Sequence, residues 1–149
     1  CGQGYYLNEL KKAGYERVVG IEGTKLNNFL VDDIIVADLS KPNPLGAHSW
    51  MMDRGNVISL EVGEHIPKEG EQNFLDTITN HCSDKLVTSW ALPGQPGLGH
   101  VNCQPQDYII DQIRKRGFDY LMKETVEARL VIEEHCNWFQ RTLLVFKRA

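Results

Sequence analysis

The chain has 149 residues, of which 42% are hydrophobic, and this is enough apolar material for one globular domain with its own core. Its formal net charge is -4 at pH 7, so the chain lacks the excess of basic residues that is typical of nucleic-acid-binding proteins, which argues against nucleic acid as the main partner. No apolar run approaches the roughly 18 residues of a membrane span, and no basic segment followed by an apolar one indicates a signal peptide.

The four cysteines have no spacing typical of a disulfide framework, so we expect free thiols and a reducing, cytoplasmic setting. They are Cys1, Cys82, Cys103 and Cys136. The sequence shows no internal repeats and no low-complexity segments, so we expect a single domain over residues 1–149.

The chain opens with a glycine turn that leads into a helical pattern. Gly2 and Gly4 are separated by one residue, and apolar residues follow at helical spacing from Tyr6 to Leu10. Two lysines and then Gly14 predict the end of this helix. Such a turn lets a ligand lie against the backbone without a Cβ in the way, and the free N–H groups of the helix would face it. On its own, the pattern more often belongs to a turn that only redirects the chain.

Two acidic residues stand at the ends of the next two predicted strands. The run Arg17–Gly23 predicts a strand with Glu22 at its end, and Ile34–Leu39 predicts a buried strand that carries Asp38. Glu22 follows the glycine turn by about 20 residues, the spacing at which nucleotide-binding folds place an acid on the ribose. A carboxylate suits that role because it accepts hydrogen bonds from two neighbouring hydroxyls. A solvated acid at a strand end would give the same pattern.

Strands and helices alternate through the middle of the chain. Apolar runs predict strands at Asn56–Val62 and Lys85–Trp90, with an amphipathic helix from about Glu69 to Cys82 between them. A further helix is predicted from Asp107 to Arg116. The segment Ala91–Pro105 is a long loop rich in glycine and proline, and long loops in compact domains tend to be functional.

In the C-terminal tail, the spacing of apolar residues changes from a helical to a strand-like pattern. Its pattern predicts three strands, the last two pairing as a hairpin: Asp119–Glu124, Ala128–Glu133 and Phe139–Lys147. Strands that alternate with helices and end in an antiparallel hairpin predict an α/β fold with a mostly parallel sheet and a reversed edge.

Four segments resemble class I S-adenosylmethionine-dependent methyltransferases, and together they extend over nearly the whole chain. Cys1–Gly4 resembles the second half of the family's glycine motif, and Glu22 matches the acid that binds the ribose. Ala37–Leu39 resembles the segment that contacts adenine, and Leu60–Ile66 is similar to the Glu-Val-x-Glu-His-Ile signature beside the methionine end of the cofactor. The resemblance implies S-adenosylmethionine as cofactor, bound by Gly2, Gly4, Glu22, Asp38, Leu39 and Glu61.

The same resemblance implies a Rossmann-like doubly wound sheet whose first, central strand is missing from the numbered chain. Without that strand, two neighbouring strands would have unpaired edges. We therefore expect 1–149 to be an N-terminally incomplete methyltransferase domain of a longer polypeptide, with room for further domains ahead of it.

The loop Pro93–Asn102 resembles a stretch found in methyltransferases associated with glycan and sugar modification. This implies metal-independent O-methylation of a sugar, a glycan or a similar small hydroxyl acceptor. A hydroxyl is a weak nucleophile, so a general base should help, and neutral histidine suits that task. His100 is the first candidate, and His65 is expected to shape the cofactor end instead. Acceptor binding is assigned to Trp50, Trp90 and Asn102.

Other interpretations stay open at this stage. Either histidine could be structural, with its ring bonded to backbone, and His100 with Cys103 could contribute to a zinc site. A nicotinamide-dependent oxidoreductase also combines a glycine turn with a ribose acid, but the Leu60–Ile66 signature and the antiparallel tail argue against it. The acceptor could be a non-sugar small molecule or a protein, or the fold could be an inactive cofactor-binding partner module.

Overall fold

The computed structural model describes residues 1–26, 28–46, 55–132 and 136–149. The chain divides into two compact units, Cys1–Leu39 and Ser40–Ala149. Within the described ranges, none of the helices combines the length and the apolarity needed to cross a membrane.

The described residues of the first unit form one helix and two strands. Helix α1 covers Tyr5–Lys12, and strands β1 (Gly20–Glu22) and β2 (Ile34–Val36) pair in parallel. The predicted glycine turn is confirmed, because Gly2 and Gly4 have φ values of 56° and 95°, in the left-handed region that glycine adopts without strain.

The second unit alternates strands and helices around a four-stranded sheet. Over residues 55–132 and 136–149, its elements are β3 (Gly55–Ser59), two 3₁₀ turns (Gly63–His65 and Lys68–Gly70), α2 (Glu71–Asn80), β4 (Cys82–Thr88), α3 (Gln106–Arg114), β5 (Phe118–Tyr120), α4 (Met122–Leu130), α5 (Phe139–Thr142) and β6 (Leu144–Arg148). The strand order is β3-β4-β6-β5. Strand β4 is parallel to β3, and β6 is antiparallel to both of its neighbours, so only β6 runs in the reverse direction. The predicted α/β fold with antiparallel C-terminal strands is confirmed.

Amphipathic helices cover this sheet and supply its core. Phe74 and Leu75 of α2 are fully buried, as are Leu86 of β4 and Phe146 of β6, which are partners in the β4–β6 ladder. The spacing of apolar residues in α2 therefore predicted its buried face correctly. The segment after β4 forms neither helix nor strand before α3, as its glycines and prolines predicted.

The predicted strand at Ala128–Glu133 is wrong, since Met122–Leu130 forms helix α4. Most residues of this segment (Met, Lys, Glu, Ala, Arg and Leu) are strong helix formers, and this intrinsic preference decides its structure. The predicted strand Phe139–Lys147 is also divided, because its first part is the short helix α5 and only the second part is β6. The strand that precedes β6 and pairs with it antiparallel is β5, which is connected to it through α4 and α5 and not through a tight turn.

Candidate active site

In the first unit, the glycine turn lies against the acid at the end of β1. The backbone N–H of Gly2 donates to Oε2 of Glu22 at 2.7 Å, and the N–H of Thr24 donates to Oε1 at 3.1 Å. Partial burial by itself would raise the pKa of Glu22, whereas the hydrogen bonds from the backbone N–H groups of Gly2 and Thr24 act to lower it. The structure thus brings together the turn and the carboxylate that the sequence predicted as partners.

Asp38 and Leu39 follow β2 at the same edge of this small sheet. Glu22 is paired with Val36, and the N–H of Ala37 donates to the carbonyl of Glu22 at 2.9 Å, so the two strands end side by side. Asp38 is exposed and Leu39 is half-buried. Two acidic residues and a glycine turn therefore lie at the carboxyl ends of parallel strands, where α/β sheets place their ligands.

In the second unit, Glu61 has an unusual backbone conformation just after β3. Its φ is 52°, a left-handed value that costs a non-glycine residue about 1–3 kcal/mol unless its surroundings impose it. Ser89 imposes it here, because its Oγ accepts from the Glu61 N–H and donates to Glu61 Oε1, both at 2.8 Å. Strain held in this way is concentrated at functional sites.

Glu64 is the residue that the sequence analysis did not single out, although it belongs to the Leu60–Ile66 signature. Its side chain is fully buried, and neither carboxylate oxygen has a hydrogen-bond partner among the described residues. Burial, followed by the negative charge of Glu61, raises the pKa of Glu64 to about 8. Only its place in the signature could have pointed to it, because burial cannot be read from one sequence.

His65 and His100 face each other beside Glu64. Their ring centroids are 5.0 Å apart at an interplanar angle of 74°. Nδ1 of His65 lies 3.1 Å from the carbonyl oxygen of Gly99, and Nδ1 of His100 lies 3.2 Å from that of Gln95. A carbonyl can only accept, so each Nδ1 carries a proton, and in the neutral form of each ring the lone pair is then on Nε2. One ligand atom each from Glu64, His65 and His100 lie within 4.8 Å of one another.

Backbone hydrogen bonds fix the loop that carries His100. The carbonyl of Glu64 accepts from the N–H groups of Val101 and Asn102, both at 2.9 Å. Asn102 also donates from Nδ2 to Glu71 at 2.9 Å, and its carbonyl accepts from the indole of Trp90 at 2.6 Å. Because of these bonds, His100 is held next to the 3₁₀ turn that contains Glu64.

The same contacts change the interpretation of two predicted acceptor-binding residues. Trp90 is 2% exposed and Asn102 is 5% exposed, and their polar groups bind other parts of the protein. Both residues therefore position the loop from inside and do not present a surface to an acceptor. Trp50, the third predicted acceptor residue, lies outside the described residues.

Glu71, at the start of α2, binds the loop that carries His100. It is fully buried and accepts hydrogen bonds from Lys68 (2.8 Å), Tyr108 and Asn102. Burial by itself would raise the pKa of Glu71, but the hydrogen bonds from Lys68, Tyr108 and Asn102 lower it overall, so this carboxylate stays ionised.

An open cavity of about 330 Å³ lies beside His100. It is lined by Glu61, Gln95, Pro96, His100, Asn137, Trp138 and Arg141. The sequence analysis missed Trp138 and Arg141 because it assigned this part of the tail to a hairpin. The cavity thus offers an aromatic face, a cation and an imidazole to a ligand.

No protein-family model matches the sequence, and no curated protein matches it at a significant level. Several solved structures resemble the chain in fold, among them the following three. The methyltransferase domain of bacterial CtHen1-C is 16% identical, with a TM-score of 0.63 over 100% of this chain and 86% of that one. Magnesium protoporphyrin IX methyltransferase (ChlM) from Synechocystis PCC 6803, with bound SAH, is 15% identical, with a TM-score of 0.51 over 78% of this chain and 51% of that one.

The third structure, a LepI variant in complex with SAH and a substrate analogue, is 12% identical, with a TM-score of 0.54. It matches 99% of this chain and 41% of LepI. The match to ChlM spans about half of that chain's length. At these identities the likeness shows the fold, which is that of a Rossmann-like methyltransferase.

Proposed function

We propose that this chain transfers a methyl group from S-adenosylmethionine to a hydroxyl of a sugar, a glycan or a similar small acceptor. The observation that carries the proposal is the joint position of the glycine turn, Glu22 and Asp38 at the ends of β1 and β2. The likeness in fold to methyltransferases supports it, and two of those structures contain SAH, the product left by the cofactor.

Each predicted cofactor-binding residue has a physical role in this proposal. Gly2 and Gly4 allow the cofactor to approach the backbone, and the Glu22 carboxylate accepts hydrogen bonds from the ribose hydroxyls. Asp38 accepts from the adenine amine, next to Leu39. The role of Glu61 at the methionine end rests on the resemblance of its signature.

The acceptor is proposed to bind in the cavity beside His100. The exposed part of Trp138 can stack on a sugar ring, and Arg141 can bind an oxygen-rich or anionic group. In the reaction the acceptor oxygen bonds to the methyl carbon, the carbon–sulfur bond breaks and its electron pair stays on sulfur. The hydroxyl proton leaves to a base or to water. His100, which lines the cavity, is the proposed catalytic residue. The His65 ring packs against the His100 ring in an edge-to-face arrangement.

Methyl transfer is tested with S-adenosylmethionine carrying a labelled methyl group and a panel of sugars, non-sugar alcohols and peptides. We expect the label on a sugar hydroxyl together with an equal amount of SAH. Trp138→Ala should raise the acceptor KM, while Tyr15→Ala, a change at an exposed aromatic residue outside the cavity, should not. Binding of SAH without transfer to any acceptor would contradict the proposed activity and favour the inactive partner module.

A further inference from the structure

The buried carboxyl group of Glu64 needs an explanation that methyl transfer does not supply. Its side chain is fully buried, and both oxygens are without a hydrogen-bond partner among the described residues. Leaving a buried polar group unsatisfied costs about 1–3 kcal/mol, and more for a charged one. A group retained at this cost commonly indicates a bound species, such as an ion, that would satisfy it.

The two histidines next to Glu64 have the orientation of metal ligands. Both donate Nδ1–H to a backbone carbonyl of the same loop, which fixes each ring and leaves each Nε2 lone pair free. Metal-binding histidines usually make this kind of hydrogen bond with the ring nitrogen that does not bind the metal. Gly97 allows the His100 ring to take this position, since a Cβ at residue 97 would lie 2.1 Å from its Nε2.

We propose that Glu64, His65 and His100 together bind a divalent transition-metal cation. One ligand atom from each side chain lies within 4.8 Å of the others. Ligand atoms that share one ion through bonds of about 2.1 Å lie about 3–3.5 Å apart, so each of the three must move by up to about 1 Å toward a common ion. The backbone bonds between Glu64 and the loop hold the ligands close before the ion arrives.

The donor set limits which cations fit. Two imidazoles and one carboxylate suit Mn²⁺, Fe²⁺, Co²⁺ or Zn²⁺, whereas Mg²⁺ and Ca²⁺ prefer oxygen ligands alone. Cys103 does not belong to the set, because its Sγ contacts Nδ1 of His100 (3.8 Å), which already binds a carbonyl. Three protein ligands leave coordination positions for water or for a substrate oxygen.

Charge also favours a cation here. Glu61 lines the same cavity as His100, and a dication would compensate its carboxylate together with that of Glu64. This interpretation differs from the metal-free chemistry that the sequence predicted.

If the proposed function holds, the cation would lie beside the acceptor cavity, since His100 borders both. A hydroxyl bound to a divalent cation is more acidic, so it loses its proton more readily before attacking the methyl group. His100 would then act as a metal ligand and would not take up the proton itself.

Titration of the chelator-treated protein with Mn²⁺, followed by the electron paramagnetic resonance signal of the free ion, tests the site without using catalysis. We expect saturable binding of one ion per chain. His65→Ala and Glu64→Gln should weaken it at least about tenfold, the lower end of what disturbing a metal site costs. His81→Ala is the matched control, because His81 also donates Nδ1–H to a backbone carbonyl but lies outside the cluster.

Circular dichroism confirms that each variant is folded. A folded protein with no saturable binding of Mn²⁺, Co²⁺ or Zn²⁺ would overturn the site, as would equal affinity in His65→Ala and His81→Ala. Methyl transfer that persists without cation binding would overturn the site and leave the proposed function in place. Cation binding without methyl transfer would support the site and count against that function.

Discussion

Replacing Asn102 by alanine should loosen the loop that carries His100. Asn102 is buried, and its side chain donates to the Glu71 carboxylate at 2.9 Å and accepts from Gln104 at 2.6 Å. Alanine removes both bonds but keeps the backbone bonds that join Asn102 to Glu64 and to Trp90. The change therefore isolates the contribution of the side chain.

The magnitude follows from these two bonds. A hydrogen bond to a charged group contributes about 1.5–3 kcal/mol, and a neutral one contributes about 1 kcal/mol. Glu71 keeps its bonds to Lys68 and Tyr108, so its charge is not left unpaired. We expect Asn102→Ala to lower the free energy of unfolding by about 2–4 kcal/mol, a large part of the 5–15 kcal/mol typical of a domain.

Urea unfolding followed by circular dichroism measures this loss. Asn80→Ala is the matched control, since Asn80 is an exposed residue at the end of α2 and its replacement should change stability by less than about 0.5 kcal/mol. A loss below about 1 kcal/mol for Asn102→Ala, or a loss equal to that of the control, would refute the role of this side chain as an anchor.

Three further predictions concern other parts of the molecule. The pKa of Glu71 is lowered in the folded state, so the stabilisation from this carboxylate is complete above its unfolded-state pKa and is lost as the pH falls through its folded-state pKa. Glu71→Gln should therefore reduce the loss of stability that the protein shows below about pH 4.5. If the stability measured by urea unfolding fell equally with pH in both proteins, this prediction would be contradicted. Glu22→Ala should weaken SAH binding at least about tenfold in calorimetry, and an unchanged Kd would remove Glu22 from the ribose site. Gly97→Ala should displace the His100 ring and weaken Mn²⁺ binding with little change in melting temperature, and normal Mn²⁺ binding would argue against this geometry.

Local patterns predicted most of the fold. Helix α2 was found because its apolar residues all point to the core, as the buried Phe74 and Leu75 show. Helix α4 was missed because its larger apolar residues, Met122, Val126 and Leu130, are exposed, so their spacing does not mark a buried face. Its composition favoured a helix, but the assignment followed periodicity.

The candidate site was predictable only where it depends on short sequence spacing. The glycine turn and Glu22 were found together because their separation along the chain reflects one strand–turn geometry. The roles of Trp90 and Asn102 depend on burial, which arises when a distant loop packs onto α2 and the 3₁₀ turn. Glu64 escaped notice for the same reason, since an isolated glutamate is far more often exposed.

Calorimetric titration of the folded protein with SAH, and then with NAD, tests the proposed cofactor most directly. We expect saturable binding of one SAH per chain and no binding of NAD. Binding of NAD in place of SAH would contradict the methyltransferase proposal and favour an oxidoreductase. Binding of neither would mean that the turn at Gly2 and Gly4 only redirects the chain.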